Sequence, residues 1–115
     1  MMNMKWVLLF TLFTWTIMIA IGTSSAETFV VDDDGDTGYA TINDALRQAT
    51  NGDIILVYEG VYKERITVSR DPTILGNGSS NTTINGGDNG DVVTLQTTGI
   101  RFDGFEVIGK YKSIL

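Results

Sequence analysis

Apolar and polar positions divide the chain into an apolar leader and a body of short alternating segments. The leader runs from Trp6 to Gly22 and is almost continuously apolar. After Glu27 the apolar residues come in short patches. Around Ile66 every second residue is apolar, which is typical of a strand with one buried face, whereas the continuous run 54–57 predicts a strand covered on both faces. The pattern predicts a body made mainly of short β-strands.

One segment of the body has helical spacing. Thr41 and Asp44 resemble an N-cap and its partner three residues later, and Asn51-Gly52 supplies a stop signal. The apolar residues between them fall on one face of a helix: Ile42, Ala45, Leu46 and Ala49. We expect a helix over residues 41–50 that lies as a lid over the open end of a β core.

The body also contains a weak internal repeat. Ile66–Val68 recurs as Val93–Leu95, 27 residues later, and a strand candidate near Thr73 recurs near Ile100 at the same offset. No Asn-Gly pair joins two alternating runs at the spacing of a tight hairpin. Repeats of this length, with several short strands each, are typical of a β-solenoid, in which each coil packs on the next.

The apolar leader has the features of an export signal. Lys5 precedes the apolar run, and the small residues Ser24 and Ala26 stand where a signal peptidase cleaves. We therefore expect residues 1–26 to be a signal peptide and residues 27–115 to be secreted or held at the cell surface. The alternative is an uncleaved N-terminal anchor, although the apolar run is short for a bilayer span.

Composition restricts the chemistry of the body. The chain has no Cys and no His, which excludes Ser-His and Cys-His nucleophile pairs and the common zinc sites. The formal net charge is −6 at pH 7. An acidic chain is a poor ligand for phosphate backbones, so we expect no nucleic-acid partner. Any chemistry must use carboxylates, Tyr, Lys, Arg or backbone groups.

Four segments, in this order, resemble a known family: Tyr39–Leu46, Asn51–Val57, Gly60–Glu64 and Thr73–Gly76. They resemble the N-terminal part of right-handed parallel β-helix proteins of the pectin lyase-like superfamily. Two branches are similar, the pectinesterases and the archaeal and bacterial cell-surface β-helix repeat proteins. The resemblance covers roughly residues 28–108. It implies an all-β fold, a right-handed parallel β-helix with one capping helix and about two coils after it.

The third of these segments matches the first pectinesterase motif, G-x-Y-x-E, through Gly60, Tyr62 and Glu64. The resemblance implies a structural role, in which Tyr62 packs and Glu64 bonds the backbone or a nearby Arg. The family's catalytic aspartates, glutamine and arginine belong to other motifs, which do not occur in this sequence, so no catalytic residue is assigned. Glu59 and Glu64 are the alternative, as a carboxylate pair for acid–base chemistry.

Two groups of polar residues are candidate sites outside that motif. Asp32, Asp34 and Asp36 are candidate ligands of Ca²⁺, although their spacing departs from the EF-hand loop and a solvated turn is the alternative. No other cofactor is expected. Asn77 and Asn81 each begin an Asn-x-Ser/Thr sequon in a Gly- and Asn-rich segment, so both are candidates for N-glycosylation.

Three functions are compatible with these observations. The first is an exported β-helix module that associates with cell-wall or surface polysaccharide and has no catalytic residues in these 115 residues. The second is the N-terminal part of a pectinesterase-like enzyme that demethylates pectin, and the third is a structural, adhesin-like spacer. In each case only the leader would contact a membrane. We expect residues 27–115 to be an incomplete solenoid that folds weakly or associates end to end.

Overall fold

The computed structural model describes residues 25–36 and 38–113. The predicted signal peptide therefore lies, apart from Ser25 and Ala26, outside the described residues. The described residues form one helix, α1 (Ile42–Gln48), and a series of short strands. The strands are β1 (Thr28–Val31), β2 (Ile54–Val57), β3 (Gly60–Tyr62), β4 (Ile66–Val68), β5 (Thr73–Gly76), β6 (Thr82–Asn85), β7 (Asp91–Leu95), β8 (Arg101–Asp103), β9 (Glu106–Ile108) and β10 (Lys110–Ser113). No helix in these two ranges is both long and apolar enough to cross a bilayer.

The strands form three parallel sheets. Sheet A has the order β1-β2-β5-β8, sheet B β3-β6-β9 and sheet C β4-β7-β10. Each strand pairs in parallel with the equivalent strand of the next turn of the chain. Three strands therefore make one coil, and we number the coils 1 (β2–β4), 2 (β5–β7) and 3 (β8–β10). Together with β1 they form a β-solenoid of about four turns, which confirms the predicted parallel β-helix.

The number of coils is larger than the sequence predicts. About two coils are expected after the helix, whereas the described residues contain three. The third coil ends in β10, whose sequence Lys-Tyr-Lys-Ser lacks alternating apolar residues. In sheet A, Thr73 pairs with Arg101, one residue from the predicted position at Ile100. Pairing with β7 alone defines β10, whereas Phe102 in β8 and Val107 in β9 alternate with polar residues and pack against the core.

Stacked apolar side chains fill the interior of the solenoid. Ile55 lies in register with Ile74, and both are fully buried. Ile66 pairs with Val93 in sheet C, which confirms the repeat predicted from the sequence. Because side chains alternate between the two faces of a strand, every second residue points inward and packs on its equivalent in the next coil, about 4.8 Å away.

The helix closes the N-terminal end of this stack. The Thr41 hydroxyl accepts a hydrogen bond from the backbone N–H of Asp44 at 3.2 Å, as predicted for an N-cap. Ile42, Ala45 and Ala49 are buried, and α1 contacts β1, β2 and β4. The predicted helix and its lid-like position are confirmed.

Candidate functional site

Glu64 ties coil 1 to the helix. Its carboxylate accepts hydrogen bonds from the backbone N–H groups of Ile42 at 2.8 Å and Asn43 at 3.0 Å. The side-chain amide of Asn43 donates a third bond to Glu64 at 2.8 Å and another to the carbonyl of Arg65 at 2.9 Å. The first N–H groups of a helix have no partners within the helix, and a carboxylate also suits its positive end. Of the two partners that the resemblance implies for Glu64, the backbone is the one in the structure.

Tyr62 ties coil 1 to β1. Its side chain is buried, at 3% relative exposure. The hydroxyl donates a hydrogen bond to the carbonyl of Tyr58 at 2.8 Å, and the carbonyl of Val31 lies 3.5 Å away. Burial, reinforced by the negative charge of Asp33, raises the pKa of Tyr62 to about 12. The ring is therefore a neutral packing element at physiological pH.

Gly60 leaves room for the loop that follows β1. Its φ is 153°, a backbone conformation that favours glycine. A Cβ atom at this position would overlap the carboxylate of Asp33. The three motif residues thus fasten the segment 31–43 to coil 1, and we call Gly60, Tyr62 and Glu64 the N-terminal clasp. That the motif has no catalytic role stays a prediction.

Glu59 and Glu64 do not form a joint site. Glu59 is exposed and lines a groove over sheet A. Glu64 is partly buried and lines a separate pocket with Lys63, Arg65 and Asn85. Acid–base chemistry by two carboxylates requires both to face one cleft. The alternative hypothesis, that Glu59 and Glu64 act as a carboxylate pair, is therefore not supported by the positions of the two side chains.

The groove over sheet A lies on the outer face of coils 1 and 2. Its volume is about 560 Å³. Leu56 and Leu75 are register partners and form its floor, each half-buried. Tyr58, Glu59 and Asn77 form the rim, and the Tyr58 side chain is 44% exposed. An apolar floor with a few polar groups at the rim is the usual composition of a ligand site.

The sequence reasoning missed this groove. It predicts that 54–57 is covered on both faces, whereas the helix lies at the end of the solenoid and leaves Leu56 partly open to solvent. Tyr58 directly after the strand was the available signal, because a large aromatic residue at a turn is more exposed than one within a strand. The sequence marks Asn77 as a sequon residue and gives no sign of its place at the groove rim.

The acidic loop after β1 gathers three carboxylates. Ligand atoms of Asp32, Asp33 and Asp34 lie within 4.8 Å of one another. Of the candidates Asp32, Asp34 and Asp36, the first two belong to this group and Asp36 does not. The charges of Asp33 and then Asp32 raise the pKa of Asp34. The backbone N–H of Asp34 also donates to Asp32 at 3.3 Å, which is turn geometry; Ca²⁺ binding stays a prediction.

The asparagines of the two sequons, Asn77 and Asn81, lie between β5 and β6, and both are exposed. The side-chain amide of Asn81 donates to the carbonyl of Asn77 at 3.3 Å. Asn77 is also part of the groove rim. A glycan on Asn77 would therefore stand at the edge of the groove, and glycosylation of either residue stays a prediction.

A family model for pectinesterase matches residues 28–113. The chain belongs to the pectinesterase family. The match starts with β1 and ends with β10, so it spans the described solenoid, the clasp and the groove. The resemblance identified from the four sequence segments is thereby confirmed.

One curated relative of this pectinesterase-family chain is "Probable pectinesterase/pectinesterase inhibitor 23" of Arabidopsis thaliana. The two are 38% identical over 85 residues, which cover 65% of this chain and 15% of the relative. The chain therefore spans a small part of the length of that relative. No solved structure matches the chain significantly.

Proposed function

We propose that this pectinesterase-family chain is a carbohydrate-binding β-helix module that works outside the cytoplasm, secreted or at the cell surface, without catalysis by the described residues. The groove over sheet A is the observation that carries the proposal. Its apolar floor suits the C–H faces of sugar rings, and its exposed rim suits their hydroxyl groups. The matched family is named after an enzyme that acts on esters of pectin, a polysaccharide, and this supports carbohydrate as the ligand class.

We infer that the groove is not catalytic from the side chains that line it. General acid–base catalysis needs positioned groups that exchange a proton with the reacting atoms. Glu59 is the one carboxylate among the residues that line the groove, and it is exposed to solvent. This single exposed carboxylate has no second carboxylate, Lys or His beside it among the residues that line the groove.

The second candidate is the N-terminal part of a pectinesterase that removes methyl esters from pectin. The coverage of the curated relative favours it, because the chain matches 15% of a protein whose name includes that activity. In that case the described coils would form one end of a longer solenoid. The polysaccharide groove would then contribute binding to an enzyme rather than act as an independent module.

One experiment separates these candidates from a structural spacer. The purified chain is subjected to affinity electrophoresis in gels containing methyl-esterified pectin, polygalacturonate or a neutral glucan, and methanol release from the pectin is measured in parallel. We expect retardation by pectin with no methanol above the blank. Retardation by none of the three contradicts carbohydrate binding and favours the adhesin-like spacer. Methanol release that is lost in Glu64→Gln or Glu59→Gln contradicts the non-catalytic proposal.

Export is the second part of the proposal. N-terminal sequencing of protein recovered from the medium or the cell envelope should begin at Glu27, since Ala26 ends the predicted cleavage site. A chain found in the cytoplasm with Met1 retained contradicts export.

A further inference from the structure

The groove has a feature that bears on which form of a polysaccharide it accepts, and the following inference rests on the proposed carbohydrate-binding function. We infer that the groove over sheet A binds a stretch of glycan without ionised carboxylates. Tyr58 would stack on a sugar ring, and Glu59 would discriminate against free uronates. Neutral sugars and esterified uronic acids both satisfy this description.

The floor and Tyr58 provide the contact surface. Leu56 and Leu75 occupy equivalent positions on adjacent strands, so their side chains lie side by side about 4.8 Å apart. Tyr58 follows β2 directly and exposes 44% of its side chain at the rim. Its ring offers a rigid, amphipathic surface with few torsions to freeze on binding. Together these groups form an apolar platform of the size of one or two sugar rings.

The rim provides polar partners. The side chains of Glu59 and Asn77 are exposed, and neither forms a hydrogen bond within the described residues. A carboxylate accepts hydrogen bonds, and an amide both donates and accepts, so the two can bind sugar hydroxyl groups. Charged and neutral sugars carry such hydroxyls alike, so the rim's hydrogen bonds alone do not select between them.

Charge provides the selection. Glu59 is the one charged residue among those lining the groove. The acidic loop lies one turn before it, because Val31 aligns with Val57. On the other side, Asp103 aligns with Leu75. Arg101 is the one cation that the described strands place on the outer face of sheet A. Negative charge therefore outweighs positive charge around the groove, and an ionised uronate is repelled.

The repulsion of an ionised uronate is weak because the charges around the groove are exposed to water. Interactions between exposed charges are weak and are screened by salt within about 10 Å at 0.1 M ionic strength. We therefore expect a modest preference for the uncharged form at low salt, and a smaller preference at high salt. Contacts with Tyr58 should not depend on salt.

The test measures affinities of the full chain, produced without N-glycosylation because Asn77 stands at the rim. The ligands are oligogalacturonides of equal length, either fully methyl-esterified or free, measured by titration calorimetry. Tyr58→Ala should weaken binding of the esterified ligand about fivefold to tenfold, whereas Tyr58→Phe should retain it. The matched control is Tyr111→Ala, because Tyr111 is a similarly exposed tyrosine, at 52%, on β10 and outside the groove. It should bind as the unchanged chain does.

A second variant tests the charge. Glu59→Gln should improve binding of the free oligogalacturonide about threefold and leave binding of the esterified ligand nearly unchanged. Asp88→Asn, an exposed turn residue elsewhere, should change neither. Circular dichroism verifies that each variant is folded.

The outcomes separate this inference from the proposed function. If the unchanged chain binds neither ligand and is retarded by none of the three polysaccharides in the electrophoresis above, the proposed function is wrong. If it is retarded by the neutral glucan alone, carbohydrate binding stands and the inferred binding of esterified uronates is wrong. If it binds but Tyr58→Ala binds equally well, carbohydrate binding stands and the groove is not the site. If Glu59→Gln leaves the affinity for the free oligogalacturonide unchanged, or the free form binds better than the ester, charge selection by the groove is wrong.

Discussion

Asp53 is a buried carboxylate that joins Glu27, the residue before β1, to Thr50 after the helix. One oxygen accepts the backbone N–H of Glu27 at 3.0 Å, and the other accepts the N–H and hydroxyl of Thr50 at 2.8 and 3.1 Å. These bonds, that from Glu27 first, lower the pKa of Asp53 against the opposing effect of burial. In the sequence Asp53 follows a Gly and is a plain turn residue. Its partner Glu27 lies 26 residues away, so only the folded chain shows this contact.

Asp53 should make stability depend on acid pH. Its pKa in the folded chain lies below the ordinary value of 3.8, so its contribution is complete above about pH 4 and is lost as the pH falls further. Asp53→Asn should melt at a lower temperature at neutral pH and lose less stability on acidification. Melting curves between neutral pH and about pH 2 check this. Parallel pH profiles for the two chains would show that Asp53 has no such role.

Tyr62 should affect stability at the other end of the pH range. Its pKa is raised to about 12, so its contribution is complete below the ordinary value of about 10 and is lost as the pH rises towards 12. Tyr62→Phe removes the hydrogen bond to Tyr58 and should cost about 1 kcal/mol of unfolding free energy at neutral pH. An absorbance titration of the unchanged chain should show a tyrosinate transition near pH 12 that the variant lacks. The same transition in both chains would assign it to another tyrosine.

The N-terminal clasp explains a motif that sequence reasoning located without finding its partners. Gly60, Tyr62 and Glu64 could be named from their spacing, and so could the N-cap at Thr41. That Glu64 reaches the helix could not, because Ile42 lies 22 residues earlier and no local pattern records the contact. The strands, in contrast, could be predicted, because the pattern that identifies them lies within each strand. Alternation is local, so it predicts the strands, whereas the open outer face at Leu56 depends on where the helix comes to rest.

Loss of the Glu64 carboxylate should release the helix. Glu64→Ala removes three hydrogen bonds to the helix start and should lower the free energy of unfolding by about 2–3 kcal/mol. Glu64→Gln, which keeps an acceptor oxygen, should cost less. The matched control Glu59→Gln changes an exposed carboxylate and should stay within about 0.5 kcal/mol.

Amide hydrogen exchange gives the local readout for the clasp. The N–H groups of Ile42 and Asn43 should exchange faster in Glu64→Ala, while those of β5 should change little. Equal stability of Glu64→Ala and Glu59→Gln would contradict the role assigned to the clasp.

Each coil of the molecule packs on the next through inward-facing apolar residues at equivalent positions. Because this packing recurs, the fold class could be predicted from the sequence. Each turn contributes inward residues at similar positions, so a repeat such as Ile66–Val68 with Val93–Leu95 is visible in the sequence. The last coil is less regular. Phe102 and Phe105 stack with ring centres 4.7 Å apart but stay only half-buried. The sequence predicts strands around Phe102 and Val107 from their alternation with polar residues, whereas β10 has no such pattern and is not predicted.

Coil 3 should make the chain associate at high concentration. Its strands pair with coil 2, and no strand of the described residues pairs with the other edge of β8 or β9. Ile108 and Tyr111 are exposed at 41% and 52%. Unpaired parallel edges with apolar residues favour pairing with a second chain. Sedimentation velocity should show a mass that rises with concentration, and a monomer with a sharp two-state melt at all concentrations would contradict this prediction.

Carbohydrate binding in the groove over sheet A can be tested directly. The direct measurement is a titration of the ¹⁵N-labelled chain with a methyl-esterified oligogalacturonide, followed by two-dimensional NMR. We predict that the amide shifts of Leu56–Glu59 and Leu75–Asn77 change in a saturable way, while those of Lys110–Ser113 stay in place. Shifts confined to other residues, or none at saturating ligand, would contradict the account.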